Sequence, residues 1–204
     1  PQPGLFFNNS AQTSLTVQTG GAQSANPGVA IATGLKANLK AGAYNVTATV
    51  VGFPGVTTSG FNFVNTSGAP ASVEISTPPT VTVQAGTAYT GVIQAIVYDK
   101  GHNTVANSPT TQVKFSSPLI NDRSISGIPS VTFNDTNLTS TVYTTTVAGG
   151  LGVATVSVPV IGTCALGNFQ VTATLVGVTA NPSALNMSIV RGDPKQSSVL
   201  TGDN

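Results

Sequence analysis

Gly42-Ala-Tyr44-Asn-Val46-Thr-Ala-Thr-Val50-Val-Gly52 returns later in the chain as Gly167-Asn-Phe169-Gln-Val171-Thr-Ala-Thr-Leu175-Val-Gly177, displaced by 125 positions. In the first copy Tyr44, Val46, Ala48 and Val50 alternate with Asn45, Thr47 and Thr49. In the second, Phe169, Val171, Ala173 and Leu175 alternate with Gln170, Thr172 and Thr174. Successive side chains of a strand point to opposite faces, so period two with one apolar face predicts a half-buried strand in each place. The glycines at either end predict turns.

Working outward, Gly28-Val29-Ala30 matches Gly152-Val153-Ala154, and Phe61-Asn62-Phe63 matches Leu185-Asn186-Met187. Gly68-Ala69-Pro70 matches Gly192-Asp193-Pro194, and these three segments share a displacement of 124. Four segments in one order at a near-constant displacement make an internal repeat. The repeat predicts a linker near 66–71 and its equivalent near 190–194. It divides the chain into a partial or short unit over 1–66, a complete unit over 67–191, and a linker with the first strand of a following repeat over 192–204. Strands of the complete unit are expected near 72–76, 80–84, 91–98, 111–116, 130–134, 141–147, 152–160, 168–177 and 183–190.

From Val113-Lys-Phe115 onward the complete unit is expected to have a counterpart in 5–66, whereas 72–112 has none upstream. Three accounts of the short unit stay open: an excerpt of a longer array, a compact self-sufficient unit, or a unit completed by a strand of another molecule through addition at an exposed edge.

Only 6% of the 204 residues are charged, against an ordinary ~25%. Seven Lys or Arg against six Asp or Glu give a net charge of +1, too little to neutralise a run of phosphates, so no nucleic-acid partner is expected. No run of about 18 apolar residues is present to cross a membrane, and no window sustains the i, i+3, i+4, i+7 spacing of an amphipathic helix. The single Cys164 has no partner for an internal disulfide. β-branched runs cut by Gly, Pro and Asn at intervals of ~8–12 residues are the signature of a sandwich or barrel and point to an all-β fold.

Gly68-Ala-Pro-Ala-Ser-Val-Glu-Ile75, Val97-Tyr-Asp-Lys-Gly-His-Asn-Thr-Val105, Val113-Lys-Phe115, Gly150-Leu-Gly-Val-Ala154 and Phe169-Gln-Val-Thr-Ala-Thr174 together resemble the bacterial Ig-like repeat domains of intimin- and invasin-type adhesins and large microbial surface proteins. The resemblance implies tandem immunoglobulin-like β-sandwich domains, one complete and one partial or short, with seven to nine strands in a full sandwich acting as a rigid spacer or adhesin segment, and it supplies no catalytic residues. The stretch 117–130 departs from the pattern as an insertion. Some surface adhesins of this build carry Lys–Asn isopeptide cross-links, for which Lys114 and Glu74 are the candidates here.

No catalytic, cofactor-binding or metal-binding residues are expected. His102 is the only histidine, and Glu74, Asp99, Asp122, Asp135, Asp193 and Asp203 are scattered, whereas catalytic or cation sites need converging groups. Asp99-Lys-Gly-His-Asn103 reads as a tight turn with Gly101 and Asn103 as the residues tolerant of positive φ. Arg191-Gly-Asp193 falls in the linker, Cys164 reads as a small buried hydrophobe, and Tyr89, Tyr98 and Tyr143 are the candidates for a sugar-binding surface. Asn134, Asn137, Asn45 and Asn65 are candidate glycosylation acceptors, each in an Asn-x-Ser/Thr sequon.

The expected role is a non-enzymatic, extracellular stalk or adhesive segment of a microbial cell-surface protein. Its partners would be neighbouring repeats of the same chain or like subunits, and a surface ligand of unknown identity. A filament subunit joined by strand exchange, or a glycan- or protein-binding module, is the alternative.

Overall fold

A computed structural model describes residues 2–192 apart from 9, 21–24, 54–55, 57–59, 119–126, 135–139, 147–151 and 181. The described residues form strands, turns and irregular segments with no helix. The chain divides into two compact units, Pro1–Ala69 with Asp99–Asn103, and Pro70–Tyr98 with Thr104–Asn204. The turn Asp99–Asn103 thus groups with the first unit, although it was expected inside the second.

The first unit holds β1 (Leu5–Phe6), β2 (Lys36–Ala37), β3 (Gly42–Val46) and β4 (Phe61–Asn65). They form two antiparallel two-stranded sheets, β1 with β2 and β3 with β4.

The second unit holds β5 (Pro70–Ile75), β6 (Thr80–Gln84), β7 (Ala88–Tyr89), β8 (Gln94–Asp99), β9 (Ser108–Ser116), β10 (Val131–Phe133), β11 (Thr141–Thr146), β12 (Val153–Thr155), β13 (Val160–Gly162), β14 (Gly167–Leu175) and β15 (Ser183–Val190). Their sheets run β11-β9-β14-β15-β6, β12-β8-β5 and β10-β13-β7. Among the described residues the strand pairs of this unit are antiparallel except β15 with β6, which run parallel. Their inward residues share one core: Val73 of β5, Val81 and Val83 of β6, Ala95 and Val97 of β8, Phe115 of β9, and Leu185, Met187 and Ile189 of β15 are among those buried. Alternation alone selects these residues. On β6 the exposed Thr80, Thr82 and Gln84 flank the two buried valines, and β8 alternates in the same way.

The strand expected over 152–160 is two strands. Pro159 has no N–H to give a ladder, and the chain passes between β12 and β13 from one sheet to another. Ile161 and Gly162 continue β13 beyond the expected end of the strand at 160.

Candidate functional site

The two copies of the opening motif occupy equivalent places, pair for pair. In β3 and β4, Gly42 faces Asn65, Tyr44 faces Phe63, Asn45 faces Asn62 and Val46 faces Phe61. In β14 and β15, Gly167 faces Ile189, Phe169 faces Met187, Gln170 faces Asn186 and Val171 faces Leu185. Asn45 Nδ2 donates to Asn62 Oδ1 at 3.0 Å, and Gln170 Nε2 donates to Asn186 Oδ1 at the same distance.

The likeness extends to β1 and β2, which match β10 and β13. Leu5 faces Ala37 where Val131 faces Gly162, and Phe6 faces Lys36 where Thr132 faces Ile161. Asn38 closes one pair by accepting from Gly4 N (3.2 Å) and donating its own N–H to Gly4 O (2.9 Å). Thr163 does the same with Ser130, at 3.2 and 3.0 Å. The correspondence therefore begins at Pro3 and Pro129. The β9 strand around Phe115, expected to have a counterpart after residue 5, has none among the described residues of the first unit.

What differs is what covers the strands. In the second unit β5 packs over β14 and β15, and β6 takes the outer edge of β15. Leu175, Leu185 and Met187 are consequently 5%, 1% and 1% exposed, whereas their counterparts Val50, Phe61 and Phe63 are 47%, 56% and 37% exposed. Val29, the counterpart of Val153, is also exposed and is not in a strand, because β12 needs β8 as its ladder partner and the first unit has no equivalent of β8 among its described residues. The ladders internal to the repeat's second half persist in the first unit. Those reaching into its first half have no counterpart among the described residues. The outcome is an open apolar sheet face on which the Tyr44 and Phe63 rings stack with centroids 5.7 Å apart.

One end of this face is closed by polar groups. Asn65, buried where the second unit has Ile189, donates from Nδ2 to Gly4 O (2.9 Å), Lys40 O (3.1 Å) and Asn38 Oδ1 (3.2 Å). Asn65 therefore does not present its amide to solvent, in contrast to the exposed Asn45 and Asn134. Asn134 has φ of 95°, its counterpart Asn8 has 53°, and Asn137 lies outside the described residues.

Asp99 is a second polar centre of the first unit. Its carboxylate accepts from Gly68 N (2.7 Å), Gly101 N (2.8 Å), Asn103 N (2.9 Å) and Asn103 Nδ2 (2.9 Å to either oxygen). Burial, the largest influence, pushes its pKa up, but the donors from Asn103, Gly68 and Gly101 together outweigh it and hold the group at about 2. Asn103 in turn donates to Leu39 O and accepts from Ala41 N, and Lys40 Nζ donates to Gly101 O. This is a structural cradle whose acceptors are already used. The residue with left-handed φ in the turn is His102 (57°), not Gly101 or Asn103, because the bond from His102 N to Asp99 O closes the turn at that point.

The remaining candidates do not converge. Tyr89, Tyr98 and Tyr143 lie on three different sheets. Burial and the nearby Glu74 charge raise the pKa of Tyr98. Lys114 lies between the buried Val113 and Phe115, and Glu74 follows the buried Val73, so each points outward from a different sheet and the two do not meet for a cross-link. Cys164 is half-buried and unpaired by disulfide, and Arg191 is exposed while Asp193 lies outside the described residues. Among the described residues no group of three or more His, Cys, Asp or Glu is placed to hold a metal ion, and no helix is long and apolar enough to cross a membrane. An open depression beside β5, walled by Ser72, Glu74, Thr179 and Pro182, brings together no chemistry-bearing set.

No protein-family model matches the sequence, and no curated protein matches it. Among solved structures the chain is similar to the crystal structure of the S-layer protein SbsC domains 4 and 5, at 12% identity and a TM-score of 0.37. The likeness covers 65% of this chain and 59% of that one, so the match spans less than two thirds of that structure.

Proposed function

We propose that this chain is a structural segment of an extracellular microbial surface protein, in which immunoglobulin-like β-sandwich repeats serve as spacers that withstand tension. It is a non-enzymatic part, and its partners are neighbouring repeats or like subunits. The observation that carries this reading is the parallel pairing of β6 with β15, from Asn186 opposite Thr80 to Val190 opposite Gln84. Force applied through the ends of the second unit pulls the start of β6 and the finish of β15 in opposite directions. In a parallel pair that loads the bridging hydrogen bonds together, in shear, rather than opening them one after another. The repetition of one pairing pattern in two units supports a role that scales with copy number.

Single-molecule pulling tests the mechanical part. Stretched through its ends, the second unit is expected to yield in one high-force step releasing about 40 nm, from β5 to β15 at ~3.6 Å per residue. Attached instead through Gln84 and Val190, which face each other, it opens pair by pair at much lower force. Equal forces in the two geometries reject the reading. Antibody labelling of intact source cells tests the location, and signal confined to permeabilised cells rejects it.

A second reading, assembly through strand exchange, is favoured by the open face of the first unit.

A further inference from the structure

We infer that the β3–β4 face and the outer edge of β4 form a receptor for the opening segment of another repeat of this type, a segment equivalent to β5 and β6 that is not paired with its own closing strand. Within the chain the same face appears twice, once covered and once open. In the covered copy the occupant is defined: β5 lies over β14 and β15, and β6 adds parallel to β15 in a fixed register. In the open copy β3 and β4 keep the register of β14 and β15 through all five of their pairs, so the surface is prepared for the same occupant. Among the described residues no strand lies on the second edge of β4.

Transferring the pairing of β15 with β6 onto β4 gives a defined register. The incoming strand runs parallel to β4 with its Thr80, Val81, Thr82 and Val83 equivalents opposite Asn62, Phe63, Val64 and Asn65. The two valines then fall beside Phe63 and the Asn65 cap, as Val81 and Val83 fall beside Met187 and Ile189. The preceding β5 equivalent reaches the face at its Phe61 end, since Ile75 N of β5 donates to Ser183 Oγ at the start of β15, and it brings one apolar row, led by its Val73 equivalent, onto the open face. Its one charged residue, the Glu74 equivalent, follows the buried valine and so points to solvent. Strand addition supplies the main-chain hydrogen bonds, and the alternating valines supply the choice of partner.

The test uses the full chain and a synthetic peptide of residues 69–86, followed by amide hydrogen exchange with mass spectrometry. Binding is expected to slow exchange in 61–65 by at least tenfold while 183–190, whose partner strand is in place, stays unchanged. A peptide carrying Val81→Asp and Val83→Asp gives no protection, and the chain variant Phe63→Asp loses the response. Absence of protection in 61–65 at millimolar peptide overturns the inference. So does protection confined to 183–190, which means displacement of the resident β6, and so does equal protection by the Asp-substituted peptide. Because the readout is taken on the unsubstituted chain, it stands even if Phe63→Asp fails to fold. A chain that binds the peptide yet unfolds at low force keeps this inference and loses the mechanical one.

Discussion

Gly167 stands against Pro129 with φ of +138°, so that a Cβ on Gly167 would lie 3.0 Å from Pro129 Cγ. Gly42 repeats the arrangement against Pro3, with φ of +133° and a Cβ position 2.7 Å from Pro3 Cγ. Both glycines open the strand that carries the repeated motif, and both sit in a region of backbone space that side chains scarcely enter. Gly177 ends the second motif with φ of +77° and nothing within 4 Å of its would-be Cβ. Gly167→Ala is therefore expected to destabilise the second unit by about 2–3 kcal/mol, and Gly177→Ala by only about 1 kcal/mol. Adding Pro129→Ala recovers part of the first loss, the part due to contact, and none of the part due to φ. Denaturant unfolding of the three variants checks the order; equal losses at Gly167 and Gly177 contradict it.

Truncation at equivalent positions measures how open the first unit is in solution. Leu185 is 1% exposed and Phe61, its counterpart, is 56% exposed. Leu185→Ala removes packed atoms and leaves a cavity, at an expected cost of about 2–4 kcal/mol. Phe61→Ala removes atoms already in water and is expected to stay within about 0.5 kcal/mol. Comparable losses from the two, read by chemical denaturation, would show that the first unit's face is covered in solution.

The repeat was legible where side chains alternate with burial. Phe169, Val171 and Leu175 announce β14 because each needs a facing core, and β6 and β15 fall on the expected residues for the same reason, whereas in the first copy β3 ends at Val46 and leaves Val50 exposed outside it. The match between 3–8 and 129–134 was much harder to see. It leaves only Pro, Phe and Asn in common at fixed spacing, because β1 and β10 are fixed by backbone bonds to β2 and β13 that accept Phe6 as readily as Thr132. The positive φ at His102 was not legible either. It follows from the Asp99 carboxylate and carbonyl collecting the N–H groups of the turn, a tertiary arrangement that propensity does not encode. The candidate surface itself was announced only indirectly, as strands missing from 1–66. That they leave Phe61 and Phe63 in water follows from the missing cover, which the residues of 61–63 themselves do not encode.

Thr132 is fully buried, and its Oγ1 has no hydrogen-bond partner among the described residues. A buried hydroxyl without a partner forfeits its hydration and gains nothing in return. Valine has nearly the same shape without the hydroxyl, so Thr132→Val is expected to raise stability by about 1 kcal/mol. Thr163 is the contrast, since its Oγ1 accepts from Ser130 N and donates to Ile128 O, and Thr163→Val should lower stability by about 1–2 kcal/mol. Thermal unfolding that moves both variants in one direction would contradict the argument.

Asp99 makes the first unit sensitive to acid in a defined window. Its pKa is about 2 in the folded chain against an ordinary 3.8, so the folded state favours the ionised form. A depressed carboxylate contributes stability that is present in full above the unfolded value and is lost as pH falls through the folded one. The loss is therefore expected between roughly pH 4 and pH 2, with nothing lost between pH 7 and pH 5, and it should amount to at most about 2 kcal/mol. Asp99→Ala removes the acceptor for Gly68 N, Gly101 N and both nitrogens of Asn103, leaving those donors unanswered, and is expected to cost about 2–3 kcal/mol at neutral pH. The substitution should also flatten the acid limb of the pH profile, because the group that titrates there is gone. Denaturation of the two proteins at pH 7, 4 and 2 provides the check, and an acid limb of unchanged steepness in Asp99→Ala would assign the sensitivity to another carboxylate.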